Sequence, residues 1–468
     1  MEGSILNSLK IGLLPLYIRL YDDAWPELRA GMEAFYRTVA GELRKRDLDV
    51  VTVPVCRVKA EFESAIRLFE TEKADAVVTL HLAYSPSLES ADALARTELP
   101  LIVLDTTPAF DFSPARNPDG ILYNHGIHGV QDMCNLLLRN GKRFFIEAGH
   151  WEKSDVLDRI KDDVKAVKTA GNIKNARVGR LGGAFRGMGD FALPDDFLQS
   201  AIGIETVEWD CAQGAELYGS ITDSQIDSEI ECDKASFTAV HLNPDVYRRS
   251  IRAGLAVRRW IETEGLTAFT ANFMGITKQC GLPCMPFLEA GKAMARGTGY
   301  AGEGDVLTAA LTGALLPVFP ETTFAEMFCP DWANNSVFIS HMGEMNINLA
   351  AGKPVLKEKD FPFTDAENPV AAYGRFKGGN AVFVNLAPVK GNGFTLILSP
   401  VEMLDAREDA GMEDSIRGWF KPALPVADFL AEYSRHGGTH HAAVVYGGAL
   451  NILKHFAEIM GWEAVELK

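Results

Sequence analysis

Two glutamates and three histidines in the second half of the chain combine residue types and neighbours suited to chemistry on a polar ligand. Glu303 stands in Gly302-Glu303-Gly304-Asp305, ahead of an apolar stretch, and Glu326 closes Thr322-Thr323-Phe324-Ala325-Glu326. His341 follows a predicted strand in Ser340-His341-Met342-Gly343-Glu344, and His440 and His441 follow Gly437-Gly438-Thr439. Glycine beside an acid or a histidine lets backbone and ligand approach closely. Singly, each residue has a plainer reading. Glu303 is an acid in a helix's first turn, favoured by the dipole. Glu326 is a surface acid, and His341 is a hydrogen-bonded histidine at a strand end. If His440 and His441 begin a strand, one of them faces inward and is a satisfied core residue. Taken together, two carboxylates and two imidazoles form a mixed oxygen and nitrogen set. Such a set suits Mn²⁺, with Co²⁺ or Mg²⁺ also possible, better than a thiolate-rich zinc site does. Cys280 and Cys284 form a C-x3-C pair with no second pair to complete a zinc site.

These islands resemble the L-arabinose isomerases within the wider L-fucose/L-arabinose isomerase family. Tyr300-Ala301-Gly302-Glu303-Gly304-Asp305, with Thr308-Ala309-Ala310-Leu311 behind it, is similar to the segment carrying that family's first metal-binding glutamate. Thr323-Phe324-Ala325-Glu326 is similar to the segment of the second. Ser340-His341-Met342 and Gly437-Gly438-Thr439-His440-His441 resemble the two histidine segments, with His441 as the ligand of the pair. Thr267-Ala268-Phe269-Thr270 resembles a pocket wall, and Gly149-His150-Trp151 also has a family look. Asn124-His125-Gly126-Ile127-His128-Gly129 resembles a loop whose last histidine reaches a neighbouring subunit's active site.

The resemblance implies an aldose–ketose isomerase with Glu303, Glu326, His341 and His441 as metal ligands, usually to Mn²⁺. Glu303 and Glu326 double as the acid/base pair, one moving the C2 proton to C1 and the other the hydroxyl proton. His128, Arg186, Phe273 and His440 are the expected substrate contacts. A homotrimer or homohexamer with shared active sites is implied. Glutamate rather than aspartate at 326 favours the arabinose-type branch. Met327-Phe328-Cys329-Pro330-Asp331-Trp332 departs from that branch, so the expected substrate is a pentose or a 6-deoxy-hexose. Other classes compete: a non-catalytic sugar-binding or sensor protein, or a hydrolase or aldolase on the same ligands. Residues 180–189 are glycine-rich after a predicted strand, but lack the G-x-G-x-x-G of a dinucleotide-binding oxidoreductase. Asp190 is too close to be its ribose-binding acid.

Several elements must position these residues. The run 11–18 reads as a first strand. Leu28, Met32, Phe35, Val39 and Leu43 give one apolar helix stripe, with Asp22, Asp23 and Pro26 at its start. Further strands are expected at 50–55, 76–82, 99–105 and 143–148, alternating with helices, which predicts a parallel sheet. Ligands in such sheets sit beyond the carboxyl ends of the strands, where His81, Asp105 and the loop 117–128 fall. A second series has strands at 177–181, 204–209 and 268–271 and helices at 244–264, 283–295 and 305–315. After about Pro320, strands at 336–340, 373–377, 381–387 and 394–399 look antiparallel. Turn signals at 378–380 and 391–393 separate them, and a helix at 450–460 closes the chain. The reading is α/β: two doubly wound, Rossmann- or flavodoxin-like domains at 1–172 and 173–320, and a β-rich, barrel-like domain at 321–468.

Composition narrows the rest. The 468 residues carry a net charge of −17 and are 47% apolar and 23% charged, with mean hydropathy −0.01. Such a surface repels phosphate backbones, so no nucleic-acid partner is expected. No apolar run approaches the ~18 residues of a membrane span, so no membrane partner is expected. Seven cysteines in so long a chain do not read as a disulfide framework. With Lys10 the only basic residue before the run 11–18 and no cleavage site after it, a cytoplasmic location is expected.

Overall fold

The computed structural model describes residues 9–239, 241–391, 393–406 and 411–468. The chain forms two compact units, Met1–Lys168 and Thr169–Lys468.

The first unit is built on strands β1 (Leu9–Leu16), β2 (Leu48–Thr52), β3 (Ala76–His81), β4 (Leu101–Asp105) and β5 (Phe145–Ala148). They form one parallel sheet in the order β2-β1-β3-β4-β5. β1 and β3 are almost wholly buried, as strands covered on both faces must be. The helix Leu28–Arg44 buries the predicted stripe Met32, Phe35, Val39 and Leu43, each worth about 1.5–3 kcal/mol of apolar burial. Packing is tight enough to require glycine at 12, where a Cβ would meet the Phe69 ring at 2.3 Å. Two boundaries differ from expectation. β2 ends at Thr52 rather than at 55, since Pro54 has no N–H to continue the ladder. Asp22 and Asp23 lie in a separate short helix, Arg19–Ala24, where Asp22 binds Arg29 and Arg57.

The second unit begins with strands β6 (Arg177–Leu181), β7 (Glu205–Glu208), β8 (Thr238–Ala239), β9 (Ala268–Ala271) and β10 (Gly299–Gly302). All but β8 form a second parallel sheet, in the order β10-β9-β6-β7. Read from the other edge, this is the order of the first sheet without its last strand. Strands β11 (Thr322–Asp331), β12 (Ser336–Ser340), β13 (Val355–Glu358), β14 (Val370–Tyr373), β15 (Gly379–Pro388), β16 (Phe394–Met403), β17 (Gly418–Pro422), β18 (His441–Tyr446) and β19 (Glu463–Glu466) follow. Six of them run in the order β15-β18-β11-β12-β17-β16, and the further β15–β16 pairing closes the ring into an antiparallel barrel. Closure removes the free edges that an open sheet exposes. β19 adds to β16 from outside, in parallel. β13, β14 and β8 make a small separate sheet.

The expected strand at 373–377 is displaced. β14 ends at Tyr373, and Arg375 and Phe376 make single bridges to two different neighbours. Gly379 and Asn380, expected in a turn, open β15. The turn between β15 and β16 does fall at 391–393, where Asn392 lies outside the described residues. Among the described residues, no helix is long and apolar enough to cross a membrane.

Candidate active site

Glu303 is the first residue beyond β10, at the carboxyl end of the second parallel sheet. Its φ is +62°, a left-handed conformation that costs a side-chain-bearing residue energy. Two backbone hydrogen bonds hold it there. Its N–H donates to the Ala271 carbonyl at 2.9 Å, and its carbonyl accepts from the Phe185 N–H at 3.0 Å. The flanking glycines are required on both sides. A Cβ on Gly302 would sit 2.6 Å from the His341 ring, and one on Gly304 would sit 2.5 Å from the Gly183 carbonyl. The helix-start acid is Asp305 rather than Glu303: Asp305 Oδ1 caps the helix Val306–Leu315 by accepting from the Thr308 N–H at 2.9 Å.

The barrel delivers the other three ligand candidates at one end. Glu326 lies on β11 directly across from His441 on β18 and from Ser340 on β12. Cross-strand partners share a face. His341 follows Ser340 at once. A bulge interrupts the β11–β12 ladder between Met327 and Cys329, just past Glu326, inside the segment that departs from the arabinose pattern. Phe324, two residues before Glu326, packs against the rings of His341 and His441 at 4.8 and 5.0 Å. The Phe191 ring stacks on His441 at 5.3 Å. The expectation that the histidine pair begins the strand is corrected: β18 starts at His441, and His440 lies in the bend before it. Released from strand alternation, both imidazoles turn the same way, with centroids 4.0 Å apart.

All three imidazoles are held by one device. His341 Nδ1 donates to Glu344 Oε2 at 2.7 Å, His441 Nδ1 to Asp305 Oδ2 at 3.0 Å, and His440 Nδ1 to Asp190 Oδ2 at 2.6 Å. Glu344 is itself fixed by the Tyr300 hydroxyl at 2.6 Å and the Gly343 N–H at 2.7 Å. Anchoring Nδ1 to a carboxylate leaves Nε2 to face the site, the arrangement that metal-ligating histidines use. His341 Nε2 lies 3.9 Å from Glu326 Oε2, and His440 Nε2 lies 3.6 Å from Glu303 Oε2. At these distances the groups attract by charge and do not hydrogen bond. Glu303 Oε2, His440 Nε2 and His441 Nε2 are buried without a hydrogen-bond partner. Buried polar atoms left this way ask for a ligand. Glu303, His440 and His441 form one group of donor atoms within 4.8 Å of one another, and Glu326, His341 and His441 form a second. His441 joins the two.

Charge follows the geometry. Burial works against ionisation of Glu303, yet His440, His441 and His341 facing it hold its pKa below the ordinary value. Burial likewise opposes the His440 cation, but Glu303 and Asp190 lift its pKa to about 9. His341 is raised, burial being outweighed by Glu344.

Residues 198–318 match the L-arabinose isomerase central domain, and residues 321–463 match the L-arabinose isomerase C-terminal domain. Together the two matches span more than half of the chain. The chain belongs to the L-arabinose isomerase family. It is therefore a sugar isomerase, an enzyme of the aldose–ketose class. Its relatives include the L-arabinose isomerase of Salmonella arizonae, 25% identical over 84% of this chain and 80% of that protein. That of Geobacillus thermodenitrificans is 24% identical over 93% and 90%. Among solved structures, the chain is similar to the periplasmic binding component of an arabinose transporter from Shewanella sp. ANA-3. That match is 15% identical over 66% of this chain and 84% of the other, with a TM-score of 0.17, too slight to bear on the fold.

The remaining candidates of this family member fall in different places. Phe273 follows β9, with its ring stacked on Phe185 at 5.3 Å and edge-on to Phe363 at 5.1 Å. Arg186 is exposed on the loop whose Phe185 N–H binds the Glu303 carbonyl. His128 belongs to the first unit and is exposed there, with Nδ1 3.5 Å from His125 Nδ1. His125 Nε2 shares a 2.8 Å hydrogen bond with the Tyr21 hydroxyl. Cys280 and Cys284 are buried, outside either donor group. Sequence reasoning assigned no role to Glu344, Asp305 or Asp190, the three carboxylates that hold the rings. Asp305 and Glu344 lie within the very motifs that carry Glu303 and His341, three residues or fewer away. Asp190 is 250 residues from His440, and no local pattern joins them.

Proposed function

We propose that the chain is a metal-dependent isomerase that interconverts an aldopentose or 6-deoxy-aldohexose and its ketose by proton transfer through an enediol. The supporting observation is the donor set itself: two glutamates and three histidines, with the free Glu303 Oε2, His440 Nε2 and His441 Nε2 buried and unpartnered. Glu303, Glu326, His341 and His441 would hold the ion. Their mixed oxygen and nitrogen donors suit Mn²⁺ best, then Co²⁺ or Mg²⁺. When bound, the ion supplies Lewis-acid polarisation of the sugar's adjacent oxygens.

Glu303 and Glu326 carry the two protons. One takes hydrogen from C2 of the open-chain aldose and returns it to C1. The other takes the proton from the C2 hydroxyl and delivers it to the C1 oxygen. A C–H and an O–H bond break and one of each forms, so no outside reactant is needed. Glu303, held below its ordinary pKa, starts as a carboxylate able to accept. His440 presents Nε2 to a sugar oxygen, the Phe185–Phe273 stack gives the sugar an apolar wall, and Arg186 supplies hydroxyl contacts from its loop. His128 reaches the site of a neighbouring copy in a cytoplasmic homotrimer or homohexamer. Exposed Phe110 and Phe112 on the preceding loop, and exposed Ile121 and Ile127 at the starts of two helices, support a covered surface there.

Running the reaction in D₂O tests the enediol route. Solvent deuterium at C1 of the ketose is expected. Complete retention of the C2 hydrogen with no solvent isotope at C1, even after many reversible turnovers give the carboxylate-held proton repeated chances to exchange, would contradict it.

A further inference from the structure

The glycine-rich stretch 180–189 matches no nucleotide-binding pattern, yet in the structure it is fastened at several points. Arg180 binds Asp195 and Glu208 at its root. The Gly182 carbonyl accepts from Asn272 Nδ2 at 3.2 Å, and the Phe185 N–H donates to the Glu303 carbonyl at 3.0 Å. Gly182, Gly183 and Gly187 all have positive φ, from +72° to +102°, so the path is open only to glycine at these turns. The stretch ends at Asp190. One oxygen of Asp190, Oδ2, accepts both the His440 backbone N–H at 3.0 Å and the His440 ring Nδ1–H at 2.6 Å. His440 precedes β18 and has no strand pairing to orient it, so this double contact fixes both its backbone and its ring.

We propose that Asp190 is a positioning residue for the isomerisation, and that the glycine-rich loop exists to carry it. By taking Nδ1–H, Asp190 makes Nε2 the atom that meets the sugar, opposite Glu303 Oε2. This inference rests on the isomerase reading above. It predicts that Asp190 contributes to turnover only through His440.

The test is a double-mutant cycle with Asp190→Asn, His440→Gln and the double variant, assayed for ketose formation by the metal-loaded enzyme. Asp190→Asn is expected to lower kcat about 10- to 100-fold, the cost of losing a hydrogen bond to a charged group. KM, metal affinity and Tm should change little. The same substitution in the His440→Gln background should have no further effect, and Asp190→Glu should recover part of the loss. A second readout needs no turnover: ¹⁵N–¹H spectra of the apo chain should show the His440 Nδ1–H shifted downfield and slow to exchange because it is held by Asp190, and Asp190→Asn should abolish that signature. Additive losses in the cycle, or an unchanged ¹⁵N signature, would overturn the proposal. A wild-type chain inactive on every aldose would instead overturn the isomerase reading, and the ¹⁵N result would still decide the role of Asp190.

Discussion

The two parallel sheets share a strand order but arm their carboxyl ends differently. Beyond the first sheet stand His81, Tyr21, His125 and His128; beyond the second stand Glu303 and the loop that leads to Asp190. In the first unit, imidazoles meet other rings and a tyrosine. His81 is buried with neither nitrogen bonded; its ring leaves no room for a Cβ at Gly129, and its backbone carbonyl leaves none at Gly126. In the second unit, each of the three imidazoles of the site has its own carboxylate. Strand order supplies a place for a ligand, and the barrel brings candidate donors together, since Glu326 on β11 lies across from His441 on β18 and His341 directly follows β12.

The largest expected effect sharpens this contrast. Glu326→Gln should lower kcat by at least about 10²- to 10⁴-fold, the value of a positioned acid or base, while circular dichroism and Tm stay near wild type. More than a few per cent of activity remaining would break the claim that the barrel end carries the reaction. Next, Asp305→Asn should weaken Mn²⁺ binding about 10- to 100-fold by calorimetry, as loss of a carboxylate behind a ligating histidine does. Unchanged affinity would place His441 outside the ligand set. A smaller effect is expected in the first unit: His128→Ala should lower kcat/KM about 10-fold, the loss of one hydrogen bond to a charged group, with metal content unchanged by elemental analysis. Unchanged kinetics on the true substrate would remove His128 from catalysis.

The smallest effect concerns stability. Burial pushes the His81 pKa from 6.5 down to about 3. The folded chain therefore refuses a proton that the unfolded chain accepts. This contribution is intact above pH 6.5 and is lost as pH falls toward 3, at about 1.4 kcal/mol per pH unit. Urea midpoints of wild type and His81→Phe should diverge between pH 7 and pH 5, the wild type losing more. Parallel midpoints would mean that His81 finds a partner for its proton.

What could be read in the sequence follows from the range of the signal. The helices Pro244–Glu264 and Leu450–Met460 were legible to the residue, because apolar periodicity and end signals are local. The helices Cys211–Ser220 and Asp223–Ser236 were missed, since each buries only one or two residues and shows no stripe. Glu303, Glu326, His341 and His441 could be singled out as candidates because each sits in a short local motif. That His440 and His441 turn the same way was not, because it depends on where β18 begins. Asp190 was weighed only as a nucleotide ligand, since its partner lies in another sheet.

The most direct test of the account is ketose formation from a panel of aldopentoses and 6-deoxy-aldohexoses, using enzyme stripped with EDTA and assayed with and without added Mn²⁺. The account predicts conversion of one sugar only when the ion is restored. Conversion at full rate by the stripped enzyme, or none by enzyme shown to hold Mn²⁺, would contradict it.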